Sequence, residues 1–373
     1  MFVRPAVLAT IALISLPAVA LATPELIIEA SSGQVIHARD ATVRWYPASL
    51  TKLMTAYVVL RGVAEKRLSL QDTVPMSAKA AAAAPSKLGL RVGQALTVDG
   101  ALKVLLVKSA NDVAIGLAEK TSGSVGAFVA AMNAHSRRIG LRGSQWVNPN
   151  GLHDPRQITT ARDMAKLMQR LIAEFPDQAG LLGIPAVAFA GRVMENHSGL
   201  VGRYPAVLAK TGYICASGFN VVASLERQGR RIIAVVMGRP SAIERDAWAA
   251  LLMETAFQSQ GSGGLDALPP SAEPAIDLRR HACGRKLPDE ATDAERAWMS
   301  AFQAVPKQPA IPILVGLASS PVPVAAAPVK IEMQAAEVLP LPLADQAAAA
   351  PSALSPSRRP PRSESESPPH KRF

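Results

Sequence analysis

Apolar residues follow two different periods over the first 258 positions of the chain, and together these periods predict a mixed fold. Two short apolar stretches, Glu25–Glu29 and Val35–His37, flank the sequence Ser31-Ser32-Gly33, which predicts a β-hairpin. Strands are also expected towards the other end of this region. They cover three apolar stretches: Val207–Thr211, Asn220–Leu225 and Arg231–Met237.

Helical spacing dominates between these strands. Apolar residues recur with a helical period from Ser49 onward, which predicts a helix that begins there. Ala101–Lys120 predicts one or two helices, and Thr160–Ala173 predicts another with Thr160 as its N-cap. A last helix is expected over Arg245–Phe257. Terminal strands with a helical middle predict the α/β (α+β) class, in which one antiparallel sheet packs with a helical subdomain.

The globular pattern ends near residue 258, and the sequence after it has a different composition. Residues 261–373 hold 18 of the 30 prolines, together with alanine runs and a final mixture of Arg, Ser, Glu and Pro. Such a segment cannot bury enough apolar surface to offset chain entropy, so we expect a globular domain over 24–258 and a largely disordered extension over 259–373. Within the extension, Asp293–Val305 fits either a helix docked on the domain or a transient helix.

Residues 1–22 have the composition of an export signal. Arg4 precedes an uncharged apolar run from Pro5 to Ala22, and Ala20 and Ala22 form an A-x-A pattern. This arrangement is typical of a secretory signal peptide that is cleaved after about Ala22. The alternative is an uncleaved membrane anchor, because 18 uncharged residues approach the length that spans a bilayer. We expect an exported protein of the periplasm or cell envelope.

Charge and cysteine content argue against several classes of protein. The net charge is +11, yet no predicted helix carries a dense Lys/Arg face with interleaved aromatic residues, so no nucleic-acid partner is expected. The 2 cysteines and 6 scattered histidines lack the spacing of a zinc site, and neither a metal nor an organic cofactor is expected. Export would permit a disulfide between Cys215 and Cys283, a pairing that the sequence alone leaves open.

Three short motifs carry the candidate chemistry. They are Ser49-Leu50-Thr51-Lys52, Ser109-Ala110-Asn111 and Lys210-Thr211-Gly212. Residues three apart share a helix face, so the Ser49 hydroxyl and the Lys52 amine can meet in the first turn of the predicted helix. A serine hydroxyl needs a base to take its proton, and a lysine can serve once burial or a nearby cation lowers its pKa. At a helix start the Ser49 N–H is free to point at a developing oxyanion.

The other two motifs would add groups for proton transfer and substrate binding. Ser109 would supply a hydroxyl that shuttles protons, and Asn111 an amide that holds substrate. On the predicted strand, Lys210 would add a cation, Thr211 a hydroxyl for a carboxylate, and Gly212 room for the substrate backbone. An extended substrate can pair with such a strand. Each motif is common alone, but the ordered set is typical of β-lactamases and penicillin-binding proteins.

The sequence resembles a known family over about residues 24–257. Residues 47–55 look like the nucleophile segment of serine-type D-alanyl-D-alanine carboxypeptidases of the peptidase S11 type, the low-molecular-mass penicillin-binding proteins. The resemblance implies the β-lactamase/transpeptidase-like fold. It extends through further stretches: Leu106–Asp112, Asn148–Leu152 with Thr159–Asp163, and Lys210–Tyr213 with Ser217–Asn220.

The resemblance also implies an activity. A protein of this family would remove the terminal D-alanine from peptidoglycan stem peptides, through an acyl-enzyme on Ser49, in cell-wall biogenesis and remodelling. Lys52 would be the general base, Ser109 the proton relay, and Asn111 a holder of the substrate amide. β-Lactams would act as covalent inhibitors because they acylate the same serine.

Substrate binding is implied in the same way. The oxyanion hole would consist of the N–H groups of Ser49 and Tyr213. The substrate carboxylate would bind Lys210 and Thr211, and Arg245 would pair with it from the segment after the last strand.

Three alternatives remain open. A D,D-endopeptidase that cleaves peptidoglycan crosslinks would use the same residues. A β-lactamase would need a carboxylate that activates the deacylating water, and the only similar sequence, Glu195-Asn196, lies too near the third motif. A non-catalytic envelope-binding protein would not need the intact motifs.

The basic chain end is interpreted as a solvated tail, with weak contact to membrane lipid or an anionic wall polymer as the alternative.

Overall fold

The structure is a computed structural model that describes residues 23–279 and 293–318. The predicted signal peptide, Cys283 and the basic chain end lie outside the described residues, so their interpretations stay predictions. The described strands are β1 (Glu25–Glu29), β2 (Val35–Arg39), β3 (Thr73–Pro75), β4 (Ala95–Thr97), β5 (Ala186–Phe189), β6 (Arg192–Glu195), β7 (Leu208–Ile214), β8 (Gly218–Arg227), β9 (Arg230–Arg239) and β10 (Ile313–Leu314).

The helices within these residues lie mostly between β2 and β5. They are α1 (Thr51–Ala64), α2 (Ala78–Ala81), α3 (Val98–Val107), α4 (Asn111–Ser122), α5 (Val125–Arg138), α6 (Ala161–Glu174), α7 (Pro176–Ala179), α8 (Ala242–Phe257) and α9 (Asp293–Ala304). No helix in the described part of the chain is long and apolar enough to cross a membrane.

A five-stranded antiparallel sheet joins the two ends of the domain in the order β2-β1-β9-β8-β7. Alternate residues of β1 enter different cores, because side chains of a strand point to opposite faces. Leu26 and Ile28 pack in the core that contains α6, whereas Ile27 packs in the core that contains α8. Both faces of the sheet are therefore covered, and β7 is left as an edge strand.

The helical subdomain stands beside this edge. Helices α1, α3, α4 and α5 pack together, and side chains at their N-termini hold several of these helices in place. Thr97 accepts a hydrogen bond from Gly100 N at the start of α3, and Ser124 accepts one from Ala127 N at the start of α5. Helix α4 ends at Gly123, whose φ of 76° is the left-handed conformation that glycine adopts readily.

Packed structure continues beyond residue 258. Helix α9 lies on α8, where the Trp298 indole donates to the Ala247 carbonyl (2.8 Å) and Phe302 is buried. Strand β10 pairs in parallel with β5. The docked alternative for residues 293–305 is thus confirmed, and the expectation of a largely disordered extension over 259–373 stays a prediction. Apolar side chains such as Leu278 find buried positions there that offset the entropy of ordering.

The predicted elements agree with the structure at most positions. The hairpin, the two helices within residues 101–120, the Thr160 N-cap and the three late strands are confirmed. The sequence analysis missed α5 and the β5–β6 hairpin. Cys215 is disulfide-bonded, and Cys283, the other cysteine of the sequence, lies outside the described residues.

Candidate active site

Ser49 lies in a short 3-10 helix, Ala48–Leu50, that leads directly into α1. Lys52 follows one turn later, and its amine nitrogen lies 3.0 Å from the Ser49 hydroxyl oxygen. The contact is local, because positions three apart share a helix face. Lys52 is fully buried, whereas Ser49 is partly exposed. A buried amine therefore stands beside an accessible hydroxyl.

Two further oxygen atoms surround the Lys52 amine. It donates to the Asn111 side-chain oxygen (2.8 Å) and to the Asn150 backbone carbonyl (2.5 Å). Both oxygens can only accept, so they take two N–H groups of a neutral amine. The remaining lone pair then faces the Ser49 hydroxyl. This is the arrangement that a general base needs to take the serine proton.

The electrostatics of the site favour that neutral amine. Burial lowers the pKa of Lys52 well below its ordinary value, and the positive charge of Lys210 lowers it further, against a smaller opposing effect of Asp112. The pKa of Lys210 is itself lowered to about 7, chiefly by burial and then by the charge of Arg245. Neither amine contacts a carboxylate within hydrogen-bond distance among the described residues.

Lys210 reaches across from β7 to the second motif. Its amine donates to the Ser109 hydroxyl (3.0 Å) and to the Thr211 carbonyl (2.8 Å). Ser109 lies between α3 and α4 with a φ of 61°, a conformation that costs a non-glycine residue about 1 kcal/mol or more. The fold holds this residue in a strained backbone conformation at the site where its hydroxyl meets Lys210.

Asn111, the first residue of α4, orients the Lys52 amine. Its side-chain nitrogen donates to the carbonyls of Ala84 (3.0 Å) and Pro85 (3.1 Å), which fixes its oxygen on Lys52. The whole amide group is therefore engaged within the protein. Its expected role as a holder of the substrate amide stays a prediction.

Two glycines allow other segments to approach Ser49 closely. A Cβ at Gly212 of β7 would lie 2.8 Å from the Pro47 carbonyl oxygen and 3.0 Å from the Ser49 nitrogen. A Cβ at Gly151, whose φ is +86°, would lie 1.9 Å from the Ala48 carbonyl oxygen. Larger residues would push both segments away. The strand and the loop 148–151 thus converge on the nucleophile segment.

Gln157 holds that loop against α1, and the sequence analysis missed it. Its buried side-chain oxygen accepts from the backbone nitrogens of Val147 (2.9 Å) and Asn148 (2.8 Å), while its nitrogen donates to the Thr51 hydroxyl (3.0 Å). The Asn150 carbonyl is presented to Lys52 as a result. Only the motif around Asn150 signalled this loop, since a backbone carbonyl leaves no trace in residue type.

The outer part of the cleft is formed by the C-terminal half of β7. Thr211 is nearly buried, whereas the Tyr213 side chain is 44% exposed and stacks on Phe219 with ring centroids 4.2 Å apart. The Tyr213 backbone follows directly on Gly212, next to the Ser49 nitrogen. The structure therefore brings the predicted residues of the first and third motifs together.

Arg245 is near this cluster but has its own partner. It is buried and forms two 2.8 Å hydrogen bonds with the Asp246 carboxylate, and a third with the His197 carbonyl (3.1 Å). Its expected contact with a substrate carboxylate stays a prediction. The His197 ring, one of the scattered histidines for which no metal role is expected, lies near these cations. Partial burial, followed by the charges of Lys210 and Lys108, lowers its pKa to about 4.

Two carboxylates that the sequence places near the motifs, Glu195 and Asp112, have other partners in the structure. Glu195, the residue raised for a deacylating role, has a 64% exposed side chain that pairs with Lys307. The Asp112 carboxylate accepts from the backbone nitrogens of Leu88, Gly89 and Val113. Across residues 23–279 and 293–318, no group of three His, Cys, Asp or Glu side chains is placed to hold a metal ion.

The arrangement suits nucleophilic acyl transfer. It offers a hydroxyl beside an amine of lowered pKa, two backbone segments that converge at the Ser49 nitrogen, and a second amine–hydroxyl pair for proton movement. The open side of β7 provides an edge on which an extended substrate can lie.

Known proteins are similar to this chain in sequence and fold over about two thirds of its length. The family model for D-alanyl-D-alanine carboxypeptidase, Peptidase_S11, matches residues 15–241. The D-alanyl-D-alanine carboxypeptidase DacA of Haemophilus influenzae is 32% identical over 240 residues, which cover 62% of this chain and 61% of that protein. The chain thus spans less than two thirds of the length of this curated relative.

Solved structures are similar to the same part of the chain. Penicillin binding protein 5 from Haemophilus influenzae has a TM-score of 0.61 and 31% identity, covering 64% of this chain and 71% of that one. Penicillin-binding protein D2 from Listeria monocytogenes, in its cefotaxime-bound form, has a TM-score of 0.58 and 26% identity, covering 63% of this chain and 97% of that one. The predicted fold class is confirmed.

Proposed function

The chain belongs to the peptidase S11 family of D-alanyl-D-alanine carboxypeptidases, and from this membership we propose that it is a serine D,D-carboxypeptidase. Its substrate is a peptidoglycan stem peptide that ends in D-Ala-D-Ala, and its product is D-alanine. The activity serves cell-wall biogenesis and remodelling. One observation carries the proposal: the buried Lys52 amine, with its lowered pKa, lies 3.0 Å from the Ser49 hydroxyl.

Acylation begins with the Ser49 hydroxyl. Its oxygen attacks the carbonyl carbon of the penultimate D-alanine while its proton moves to the Lys52 amine. The carbonyl oxygen becomes an oxyanion, which the backbone N–H groups of Ser49 and Tyr213 stabilise. Asn111 and the Asn150 carbonyl hold the amine in place during this transfer. Burial lowers the pKa of this amine well below its ordinary value, which favours the neutral form that can accept the proton.

The tetrahedral intermediate then collapses. The carbon–nitrogen bond to the terminal residue breaks, and the proton that Lys52 took from Ser49 passes through the Ser109 hydroxyl, which contacts Lys210, to the leaving amine. Lys52 is thereby neutral again. An amine with a pKa near 7 gives up and recovers a proton readily at neutral pH. D-Alanine leaves, and the rest of the peptide stays on Ser49 as an ester. Water activated by the Lys52 amine then hydrolyses this ester.

Substrate binding uses the edge of β7. The terminal carboxylate lies near Lys210 and Thr211, and the scissile carbonyl lies beside Gly212 and Tyr213. The substrate backbone passes over Gly212, where a side chain would obstruct it. Arg245 adds positive charge behind Lys210, since that charge already acts on the Lys210 amine.

We extend the proposal to β-lactam drugs and to the location of the protein. A β-lactam would acylate Ser49, which is consistent with the cefotaxime-bound relative from Listeria monocytogenes. We assign the catalytic domain to residues 24–258, in line with the match of the family model. The signal-peptide pattern of residues 1–22 supports export to the periplasm or cell envelope.

Intact-mass spectrometry after brief exposure to benzylpenicillin tests the nucleophile. The mature protein should gain the mass of one drug molecule, and Ser49→Ala should gain none. Ser69→Ala, an exposed serine on the helical subdomain, is the matched control and should be acylated like the wild type. Labelling of Ser49→Ala would overturn the assignment of Ser49.

The same preparations test the reaction. Release of D-alanine from a peptide ending in D-Ala-D-Ala is expected from the wild type and from Ser69→Ala, but not from Ser49→Ala. Drug hydrolysis without a lasting adduct would replace the proposal with a β-lactamase. Cleavage of crosslinked peptides in preference to free D-Ala-D-Ala ends would replace it with an endopeptidase.

A further inference from the structure

The Asp112 carboxylate, in the first turn of α4, holds a loop as well as its own helix. It is fully buried and accepts from the Val113 nitrogen of α4 at 2.9 Å. Two further hydrogen bonds leave the helix and come from the backbone nitrogens of Leu88 (3.0 Å) and Gly89 (2.8 Å). Both residues lie between α2 and β4, in a segment that we name the 84–89 loop. A carboxylate that only stabilised the start of α4 would need no bonds to another segment.

The 84–89 loop is bonded to Asn111 through its other half. The Asn111 side-chain nitrogen donates to the carbonyls of Ala84 (3.0 Å) and Pro85 (3.1 Å). The Asn111 backbone nitrogen donates to the Ser86 carbonyl (2.7 Å). The consecutive residues Asn111 and Asp112 thus hold the two halves of one short loop, and a shift of one half must move the other.

The loop sets which way the Asn111 amide faces. The two loop carbonyls can only accept, so they bind the amide nitrogen and leave its oxygen for the Lys52 amine (2.8 Å). Loss of the Asp112 carboxylate would leave the buried Leu88 nitrogen without its partner, and the loop would move to regain a hydrogen bond. The loop carbonyls would move with it. The position of the Lys52 amine therefore depends on Asp112 through Asn111.

Asp112 also acts on Lys52 through its charge. Burial and then the charge of Lys210 lower the pKa of Lys52, and the charge of Asp112 opposes both effects. Partial burial lowers the pKa of the nearby His197 ring to about 4, so this ring adds no charge at neutral pH. The groups that contact the amine directly are uncharged and belong to Ser49, Asn111 and Asn150. Asp112 is thus the group whose charge helps the amine to hold a proton.

We propose that Asp112 is a positioning residue for acylation, which fastens the 84–89 loop behind the Asn111 amide and whose charge helps Lys52 to hold the proton of Ser49. This inference rests on the proposed function, because that function makes Lys52 the base. It gives the carboxylate a role in the reaction beyond the start of α4.

Asp112→Asn tests both effects, since it keeps the shape of the side chain and removes its charge. One oxygen can still accept from Leu88 and Val113, but the new amide nitrogen would face the Gly89 nitrogen, and two donors cannot bond. The maximal rate of acylation by benzylpenicillin should fall about tenfold, because Lys52 is misplaced. The rate should also reach half of its maximum at a lower pH than in the wild type, because loss of the charge lowers the pKa of Lys52 further.

Asp112→Glu separates the position of the carboxylate from its charge. It keeps the charge and adds a methylene group in a fully buried place, which displaces the loop. Its maximal rate should fall as in Asp112→Asn, whereas the pH of half-maximal rate should stay that of the wild type. Mass spectrometry of the acylated fraction over time, from pH 5 to 10, measures the rates. Urea unfolding measures the folded fraction of each variant.

Asp163→Asn is the matched control. Asp163 is also fully buried in the first turn of its helix, α6, and it accepts from the backbone nitrogens of Arg142 (3.2 Å) and Gly143 (2.7 Å) in another loop. The folded fraction of this variant should be acylated at the wild-type rate and with the wild-type pH dependence. An equal change in Asp112→Asn and Asp163→Asn would mean that Asp112 acts through stability alone, and it would overturn the proposal.

Arg192→Gln carries the test if neither Asp112 variant folds. Arg192 is exposed on β6 and donates to the Leu88 carbonyl (3.2 Å), so its loss loosens the same loop without a buried change. Its maximal rate should fall about twofold. Wild-type rates and pH dependence in the folded Asp112 variants, or in Arg192→Gln where neither folds, would overturn the positioning role alone. Wild-type protein that benzylpenicillin does not acylate would overturn the proposed function, and the positioning role with it.

Discussion

Two buried clusters of ionisable groups lie at the same sheet and differ in whether a carboxylate pairs with the basic groups. At β1, the Glu25 carboxylate is 1% exposed and is bonded to His37 (3.1 Å), Arg39 and the Trp248 indole (2.6 Å). Next to β7, the amines of Lys52 and Lys210 are equally buried, and among residues 23–279 and 293–318 they contact only hydroxyl, amide and carbonyl oxygens. One cluster pairs its charge, and the other leaves its amines without a carboxylate.

The contrast shows which cluster the fold uses for stability. Removal of one partner from a buried and paired carboxylate is costly, because the remaining groups are left without their hydrogen bonds. A buried amine without a counter-charge loses its proton instead, as the lowered pKa values of Lys52 and Lys210 indicate. The β7 cluster therefore gains a base at the expense of stability, a trade that is common at active sites.

The largest expected effect is on the acylation rate, when the unpaired amine of Lys52 is removed. Lys52→Met should slow acylation by benzylpenicillin roughly a thousandfold, because the Ser49 proton loses its acceptor. The free energy of unfolding should change by no more than about 1 kcal/mol, since relief of the buried amine offsets the lost hydrogen bonds. Acylation rates followed by mass spectrometry and urea unfolding measure the two quantities.

Lys166→Met is the matched control for that variant. The Lys166 amine is also largely buried, but it pairs with the Asp266 carboxylate at 2.5 Å. Its loss should leave acylation near the wild-type rate. Fast acylation in Lys52→Met, or an equally slow Lys166→Met, would refute the assignment of Lys52 as the base.

The next effect is a loss of stability when the carboxylate of the paired cluster is removed. Glu25→Gln leaves the Arg39 guanidinium and the buried His37 ring without their carboxylate partner and should lower the free energy of unfolding by about 3 kcal/mol. The folded fraction should be acylated normally, because two strands separate β1 from β7. Glu29→Gln on the same strand breaks a more exposed pair with Arg230 and should cost less than about 1 kcal/mol. Equal costs in urea unfolding would contradict the comparison.

Local geometry explains which parts of the site were predictable. Ser49 and Lys52 share one helix face, so their contact follows from the spacing alone. Ser109 and Lys210 are 101 residues apart, and only the ordered motifs of a known family placed them together. The roles of the Asn150 carbonyl and the Gln157 amide could not be predicted from the sequence, because backbone groups and amides that organise loops carry no distinctive residue pattern.

The same limit applies to the fold. The strands β7, β8 and β9 have long apolar runs that are visible in sequence, and they are confirmed. Strand β10 has two residues, and its pairing with β5 depends on a tertiary contact between positions more than 100 residues apart. The docking of α9 was left open, since its apolar stripe indicates a buried face but not the surface that buries it.

The last effect concerns pH and separates the two clusters once more. The pKa of Lys210 is about 7 in the folded protein and has its ordinary value near 10.5 in the unfolded chain. Between these values only the unfolded chain binds the proton, so this group makes the free energy of unfolding rise with pH, by up to about 1.4 kcal/mol per pH unit. Below pH 7 Lys210 is protonated in both states, and its contribution to the free energy of unfolding no longer changes with pH.

Lys210→Met should remove this rise of the free energy of unfolding with pH, and the surface variant Lys103→Met serves as its control. Urea unfolding from pH 6 to 10 measures the difference between wild type and variant. A difference that stays constant across this range would mean that Lys210 keeps its proton in the folded state, and the β7 cluster would then resemble the paired cluster at β1.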